Sequence, residues 1–269
     1  MTTSAVPALD CVDALQGSKR RVIVQAYENF GLCPPKVSWQ ARLDLAKLAM
    51  IRRFSDARLL RKADSVVTNS EFMGGAISQR FGIDSRNITI VPQFSDMPPS
   101  RNRYTDVLPN VGFVTRGSEK NLPFVIDLAR RAPDLQFLIY GHTGGLGEGL
   151  PANVRVMGWA SDRQAMIESA AVWLMPSTWA EPFGRVSIEA QAANRISLVI
   201  DSGGLPETVT DRQFVLTDFD LGQWVERIRS VMQLPVSVVE RNGAVIRERF
   251  SKTAHDDAIR RIFESPEKY

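Results

Sequence analysis

The sequence is short of residues on which several classes of protein depend. Cysteine occurs only twice in 269 residues, at Cys11 and Cys33, which is too few for a disulfide framework and indicates a reducing compartment. No C-x-x-C pair or Cys/His cluster could hold zinc. No apolar run approaches the roughly 18 residues of a membrane-spanning helix, and the first residues lack the pattern of a signal peptide. We therefore expect a soluble cytoplasmic protein, or one bound peripherally to a membrane.

An excess of charge of one sign is also missing. The 33 basic and 30 acidic residues leave a net charge of +3, which is too small by itself to predict a nucleic-acid partner. The exception is the segment 42–62, with seven basic and two acidic residues. Its basic residues scatter around a predicted helix, which favours a solvated helix over a surface for anionic lipid or nucleic acid.

What the sequence does contain is an alternation of short apolar runs with helical patterns, which predicts an α/β fold with parallel sheets. Before residue 92 the pattern is incomplete, with strands expected at 21–26, 65–69 and 87–91 and helices over about 39–62 and 70–82. The proline-rich segment 92–109 predicts a linker. After it we expect a complete doubly wound domain, with strands at 111–115, 136–140, 154–156, 172–175 and 197–200, and helices near 120–131, 162–170, 184–194, 204–210, 221–233 and 237–264.

The loops that follow the strands are the first candidates for a site, because ligands of open α/β sheets bind beyond the carboxyl ends of the strands. Arg116 and Lys120 follow the strand at 111–115. Two cations at a strand–helix junction suit a diphosphate, although solvated loop charges are commoner. The glycine-rich run from Gly141 to Gly149 precedes a strand and not a helix, which excludes a dinucleotide fingerprint. It indicates a flexible hairpin, in which Gly141 could also let a ligand approach closely.

Two carboxylates belong to the loop and helix after the strand at 172–175. A helix predicted to begin near Gly184 offers free N–H groups as an anion site. Glu189 lies among apolar residues of this helix, where burial is costly unless hydroxyl or cationic partners are present. The alternative makes Glu189 a surface residue and Glu181 a favourable charge at a helix start.

Several motifs occur in one order along the chain. Glu181 and Glu189 form E-x7-E, which Met-Pro-Ser precedes at 175–177. D-x-G-G-x-P-E follows at 201–207, and Phe-Ser stands at 250–251. A-D-x-V-x-T-N-S stands at 63–70. Together these motifs resemble the retaining family-4 glycosyltransferases of the GT-B fold, over about residues 63 to 264.

The resemblance implies two Rossmann-like doubly wound domains: a shortened acceptor-side domain at 1–100 and a donor-binding domain with C-terminal helices at 101–269. It implies transfer of a sugar, with retention, from a nucleoside-diphosphate sugar, without a cofactor. Cations and backbone N–H groups would replace a metal, and we expect no D-x-D metal site. The implied catalytic residues are Arg116, Lys120 and Glu181. The implied donor-binding residues are Gly141, His142, Trp159, Pro182, Phe183, Gly184 and Glu189.

The acceptor and the partners stay open at this stage. A glycan, a lipid-linked glycan or a modified nucleic acid could each be the acceptor, the last with the basic segment 42–62 along its phosphates. An alternative function is a nucleotide-sugar-binding regulatory subunit, or a half-enzyme that depends on a partner. The shortened first domain predicts a homodimer through residues 1–100, because unpaired strand edges are seldom left open. Its apolar candidates are Val22, Val24, Trp39 and Leu43.

Overall fold

The computed structural model describes residues 23–26, 58–143 and 149–264. These residues form two parallel sheets with helices between the strands, which confirms the α/β class. They belong to two compact units, one made of the residues up to Pro92 together with those from Asp257 onward, and one that runs from Gln93 to Asp256. Within these ranges no helix is long and apolar enough to cross a membrane.

The first unit contains a three-stranded parallel sheet. Its strands are β1 (Ile23–Ala26), β2 (Ser65–Thr68) and β3 (Ile88–Ile90), in the order β1-β2-β3. Helix α1 (Glu71–Phe81) connects β2 to β3 and is capped at both ends. The side chain of Ser70 accepts a hydrogen bond from the N–H of Met73, and Gly82 ends the helix in the left-handed conformation, as the sequence predicts for such caps. Of the predicted helix over 39–62, only 58–62 lie within the described residues, and they are helical.

The second unit contains a six-stranded parallel sheet. Its order is β6-β5-β4-β7-β8-β9, so the chain adds two strands on one side of β4 and then three on the other. Strands β7 and β8 are buried almost throughout, as their continuous apolar character predicts for a sheet covered on both faces. The elements are β4 (Asn110–Thr115), α2 (Leu122–Arg131), β5 (Gln136–Gly141), β6 (Val154–Gly158), α3 (Arg163–Glu168), β7 (Val172–Met175), α4 (Arg185–Ala192), β8 (Ile196–Ile200), β9 (Val215–Leu216), α5 (Leu221–Val231), α6 (Val236–Arg249) and α7 (Lys252–Glu264).

The structure corrects the predicted elements in three places. The helix expected over 204–210 is a single 3₁₀ turn, Leu205–Thr208, and the short edge strand β9 was not predicted. The continuous helix expected over 237–264 is two helices, α6 and α7. The break falls where Phe250 turns into the core, with its ring 5.6 Å from that of Phe183 in an edge-on contact. Ser251 then accepts a hydrogen bond from the N–H of Ala254 at 3.0 Å and starts the next helix.

Candidate functional site

Three loops meet at the carboxyl edge of the second sheet. They follow the adjacent strands β4, β7 and β8, and the strand order reverses between β4 and β7. Such a reversal leaves a crevice between neighbouring loops, because the connections run to opposite sides of the sheet. The loop after β4 carries Arg116 and Lys120, and the loop after β7 carries Glu181. The predicted cations and the first predicted carboxylate therefore flank the crevice.

Backbone hydrogen bonds tie these three loops together. The N–H of Thr178 donates to the carbonyl of Glu119 at 2.8 Å, and the N–H of Gly204 donates to the carbonyl of Glu181 at 2.7 Å. Gly203 has a φ of +64°, and a Cβ there would overlap the carbonyl oxygen of Glu181. The two glycines of D-x-G-G-x-P-E thus let the loop after β8 lie directly against the backbone that carries Glu181.

Glu181 is held through one of its two carboxylate oxygens. Its Oε1 accepts a hydrogen bond from Nζ of Lys120 at 2.8 Å. The same oxygen accepts a hydrogen bond from the hydroxyl of Ser177, a side chain that is almost fully buried. Neither contact uses Oε2. The carboxylate is therefore oriented by an ammonium and a hydroxyl while its second oxygen is outside both contacts.

Glu189 is buried, with 3% of its surface exposed, so the alternative of a surface residue is wrong. Its Oε1 lies 2.9 Å from Nε of Arg185 and 3.1 Å from a terminal nitrogen of Arg163. Arg163 also lies 2.8 Å from Asp96. Burial raises the pKa of Glu189 above its ordinary value, and the two arginines oppose this increase. As with Glu181, both contacts fall on the same carboxylate oxygen.

A buried polar network fixes the helix that carries Glu189. The hydroxyl of Ser187 lies 2.9 Å from that of Ser197 on β8 and 2.8 Å from that of Thr208. The side-chain amide of Gln191 donates to the carbonyl of Thr208 at 2.7 Å. Because buried polar groups with partners hold a single arrangement, α4 is fixed to both the sheet and the loop after β8.

The start of α4 leaves little room for side chains. Gly184 is the N-terminal cap, with no side-chain capping bond, and a Cβ there would lie 2.8 Å from a methyl group of Leu205. The side chain of Phe183 is buried against Phe250. Of the three predicted residues Pro182, Phe183 and Gly184, Phe183 therefore has only its backbone to offer to a ligand, and Gly184 has no side chain.

The remaining predicted residues gather where β4 and β5 end. Thr115 pairs with Gly141, and the N–H of His142 donates to the carbonyl of Thr115 at 3.1 Å. Gly141 has a φ of +94°, and a Cβ there would overlap that same carbonyl oxygen. The guanidinium of Arg116 lies over the ring of Trp159 at 5.5 Å from its centroid, within the range of a cation–π interaction. Trp159 is 64% exposed. Residues 144–148 lie outside the described residues.

Sequence reasoning missed three residues that contact the two carboxylates, Ser177, Arg185 and Arg163. It also missed Asp96, which contacts Arg163. A signal existed for Arg185, which is four residues before Glu189, the spacing that joins side chains on one helix face. Ser177 is part of the Met-Pro-Ser motif but had no assigned role. Arg163 and Asp96 are distant in sequence from Glu189, and only the packing of their segments brings them together.

The D-x-D spacing does occur in the chain, contrary to expectation, at Asp218–Asp220. Asp220 caps α5, accepting a hydrogen bond from the N–H of Gln223 at 2.7 Å, and its own N–H donates to Asp218 at 3.0 Å. The spacing here therefore belongs to a capping turn. In the part of the chain that the structure describes, no group of three or more His, Cys, Asp or Glu side chains could hold a metal ion.

A known protein family matches the part of the chain that carries this site. Residues 109–257 match the family described as glycosyl transferases group 1, which is more than half of the chain. The chain belongs to the glycosyl transferases group 1 family. The matched range includes Arg116, Lys120, both carboxylates and the loop after β8, so the candidate site lies entirely within the glycosyl transferases group 1 region apart from Asp96.

Two curated relatives are D-inositol 3-phosphate glycosyltransferases. The protein from Segniliparus rotundus is 25% identical over an alignment of 240 positions, and the match covers 77% of this chain and 54% of that protein. The protein from Mycolicibacterium smegmatis is 26% identical over an alignment of 237 positions, and the match covers 78% of this chain and 54% of that protein. This glycosyl transferases group 1 chain thus spans about half the length of the curated relatives it matches.

Solved structures share the fold. Anabaena HepE in complex with UDP and glucose has a TM-score of 0.75 at 18% identity, over 98% of this chain and 76% of that one. Sucrose-phosphate synthase from Thermosynechococcus elongatus has a TM-score of 0.75 at 20% identity, over 98% of this chain and 73% of that one. These likenesses confirm the GT-B fold for this glycosyl transferases group 1 member.

Proposed function

We propose that the chain is a metal-independent glycosyltransferase of the retaining family-4 type, which transfers a sugar from a nucleoside-diphosphate sugar to an acceptor hydroxyl. The observation that carries this proposal is the shared arrangement of the two E-x7-E carboxylates. Each is held on Oε1 by a cationic side chain, Lys120 for Glu181 and two arginines for Glu189. The other oxygen of each takes part in neither contact, and ligand hydroxyls are suited to meet it, because an ionised carboxylate only accepts hydrogen bonds.

The two carboxylates have different tasks in this proposal. Glu189, buried beside the start of α4, accepts hydrogen bonds from the ribose hydroxyls of the donor. Glu181, at the switch-point crevice, accepts them from hydroxyls of the donor sugar. Backbone N–H groups at Phe183 and Gly184 contact the sugar or the phosphates, and Pro182 shapes the turn. Gly141, His142 and Trp159 lie beside the nucleotide base.

In the transfer step the acceptor oxygen bonds to the anomeric carbon, and its proton passes to an oxygen of the departing diphosphate. The bond between that carbon and the diphosphate oxygen breaks, and its electron pair leaves with the diphosphate. Negative charge therefore grows on the leaving group, and Arg116 and Lys120 stabilise it. Cations that are already in position cost no reorganisation as the bond breaks, which makes such stabilisation a large contribution to catalysis.

The proposed domains are 1–100 on the acceptor side and 101–269 on the donor side.

A donor screen tests the proposal. The chain is heated with UDP-, GDP-, ADP- and dTDP-sugars, and tight donor binding raises its melting temperature. Hydrolysis of the selected donor by the chain is then followed by proton NMR, which identifies the anomer of the sugar that is released first. We expect the same anomeric configuration as in the donor. Release of the opposite anomer contradicts retention.

Two controls sharpen this screen. Glu189→Gln removes the proposed ribose acceptor, whereas Glu226→Gln removes an exposed carboxylate on α5 and leaves donor binding unchanged. D-inositol 3-phosphate is included among the acceptors because two relatives are named for it. Binding of a donor without hydrolysis or transfer favours the alternative, a nucleotide-sugar-binding subunit that needs a partner. A chain that binds none of the donors contradicts both functions.

A further inference from the structure

Four charged side chains form a continuous chain at the Glu189 carboxylate. Arg185 and Arg163 both contact its Oε1, at 2.9 and 3.1 Å, and Arg163 contacts Asp96 at 2.8 Å. The Glu189 side chain is 4% exposed, whereas those of Arg163 and Asp96 are 41% and 70% exposed. Arg163 is therefore shared between a buried carboxylate and an exposed one.

These charges act on Glu189 in opposite directions. Burial favours its neutral form, and Arg163 from α3 and Arg185 from its own helix favour the ionised form. Asp96, from the segment before β4, favours the neutral form by like-charge repulsion. An ionised carboxylate makes stronger hydrogen bonds to hydroxyl groups than a neutral carboxyl does. The balance at this cluster thus sets how well Glu189 can bind a pair of hydroxyls.

We propose that Arg163 is a positioning residue, which fixes the Glu189 carboxylate as an ionised acceptor for the donor's ribose, and that its sharing with Asp96 limits how strongly it does so. The inference rests on the proposed function, in which Glu189 binds the ribose hydroxyls. Arg163 itself does not contact the donor. It acts through the carboxylate, as a cation that offsets the cost of burying the charge.

The test measures the affinity of the full chain for UDP by calorimetry between pH 5 and pH 8. Arg163→Met should weaken UDP about tenfold at pH 7, the size expected when one charge-assisted contact is lost. On acidification, the affinity of this variant for UDP should begin to fall at a higher pH than that of the unchanged chain, because Arg163 no longer favours the ionised form of Glu189. Asp96→Asn should move this fall to a lower pH, because the repulsion on Glu189 is removed. Arg163→Lys should restore part of the affinity.

The ligand offers a matched control. 2′-Deoxy-UDP lacks one of the two hydroxyls, so its affinity should respond less than that of UDP to either substitution. Arg130→Met, which removes an exposed arginine on α2 paired with Asp127, should leave both affinities and the pH profile unchanged. If the donor screen selects another base, GDP with 2′-deoxy-GDP or ADP with 2′-deoxy-ADP replaces the pair.

The outcomes separate the two proposals. If Glu189→Gln weakens UDP but neither Arg163→Met nor Asp96→Asn shifts the pH profile, the positioning role is wrong and the proposed function stands. If Glu189→Gln leaves the affinity unchanged, the ribose contact itself is wrong. If Arg163→Met does not fold, Arg163→Gln is measured in its place. A folded Arg163→Gln chain whose affinity for UDP shows no shift to higher pH means that Arg163 has a purely structural role.

Discussion

Glu181 and Glu189 are eight residues apart in sequence but lie in different electrostatic surroundings. Glu181 is half-buried and held by an ammonium and a hydroxyl, at the edge of a crevice. Glu189 is buried in α4, and its pKa is raised because desolvation outweighs its two arginines. A raised pKa means that folding disfavours the ionised form, so the charge at Glu189 costs stability. Costs of this kind are common where a group is kept for binding and not for folding.

Glu189→Gln should therefore affect the stability of the fold and the affinity for the donor differently. Because the folded chain holds the Glu189 proton more tightly than the unfolded chain does, this residue lowers stability as the pH rises through and above its ordinary pKa of 4.5. At pH 7 the substitution should leave the melting temperature unchanged or higher. Donor affinity should fall by about 10- to 100-fold, as for lost charge-assisted hydrogen bonds. Thermal unfolding and calorimetry measure the two, and a lower melting temperature with full affinity contradicts both expectations.

Arg116 and Lys120 should matter more for turnover than for ground-state binding. The charge on the diphosphate grows as the glycosidic bond breaks, so these cations interact more strongly with the transition state. Replacing either by Ala should lower kcat about 100-fold or more, the cost of removing one preorganised charge-stabilising group. Steady-state kinetics with the selected donor measure this. An unchanged kcat with a raised KM would mean that Arg116 and Lys120 bind the ground state and the transition state equally well, which excludes the catalytic role.

At the scale of elements, the loop after β8 holds the Glu181 loop in place through close backbone contact. Gly203 combines a left-handed conformation with contact against the Glu181 backbone. Gly203→Ala should lower the free energy of unfolding by about 1–3 kcal/mol or more, and should weaken donor binding because Glu181 moves. Chemical denaturation and calorimetry measure the two effects.

Gly75→Ala is the matched control for that substitution. Gly75 is exposed in α1, and a Cβ there meets nothing within 4 Å. The change should raise the free energy of unfolding by about 0.5–1 kcal/mol, because alanine is the better helix former, and should leave donor affinity unchanged. Equal destabilisation by both substitutions would argue against a special role for Gly203.

Elements whose pattern is set locally could be predicted from the sequence. Strand β7 is found over the residues predicted for it, because an uninterrupted apolar run in a parallel sheet is a strong signal. The sequence predicts a helix over 204–210, whereas the structure has a single turn at Leu205–Thr208. Its buried contacts with Gly184 and Ser187 come from another segment, and local sequence carries no signal for them. Long-range packing also explains why Arg163 was missed at Glu189. The two carboxylates were found because they stand in one short motif.

For the whole molecule, we expect a homodimer through residues 1–100. Within the described residues, β1 and β3 each pair only with β2, so each has one edge to which no described strand is hydrogen-bonded. Of the apolar candidates, Val24 is half-buried, and Val22, Trp39 and Leu43 lie outside the described residues. Light scattering at micromolar concentration measures the oligomeric state. A monomer that is stable and fully active contradicts this expectation.

The last helix, α7, begins in the second unit and ends in the first. From Asp257 onward, α7 is part of the first unit, where Ile262 is buried with Val67 and Val91, and Ala258 and Ile259 pack against them. A gene fusion that exchanges everything after the linker would therefore replace part of the first unit's core as well. Recombination among relatives needs two crossovers, one near residue 92 and one near residue 257, to transplant the second unit intact.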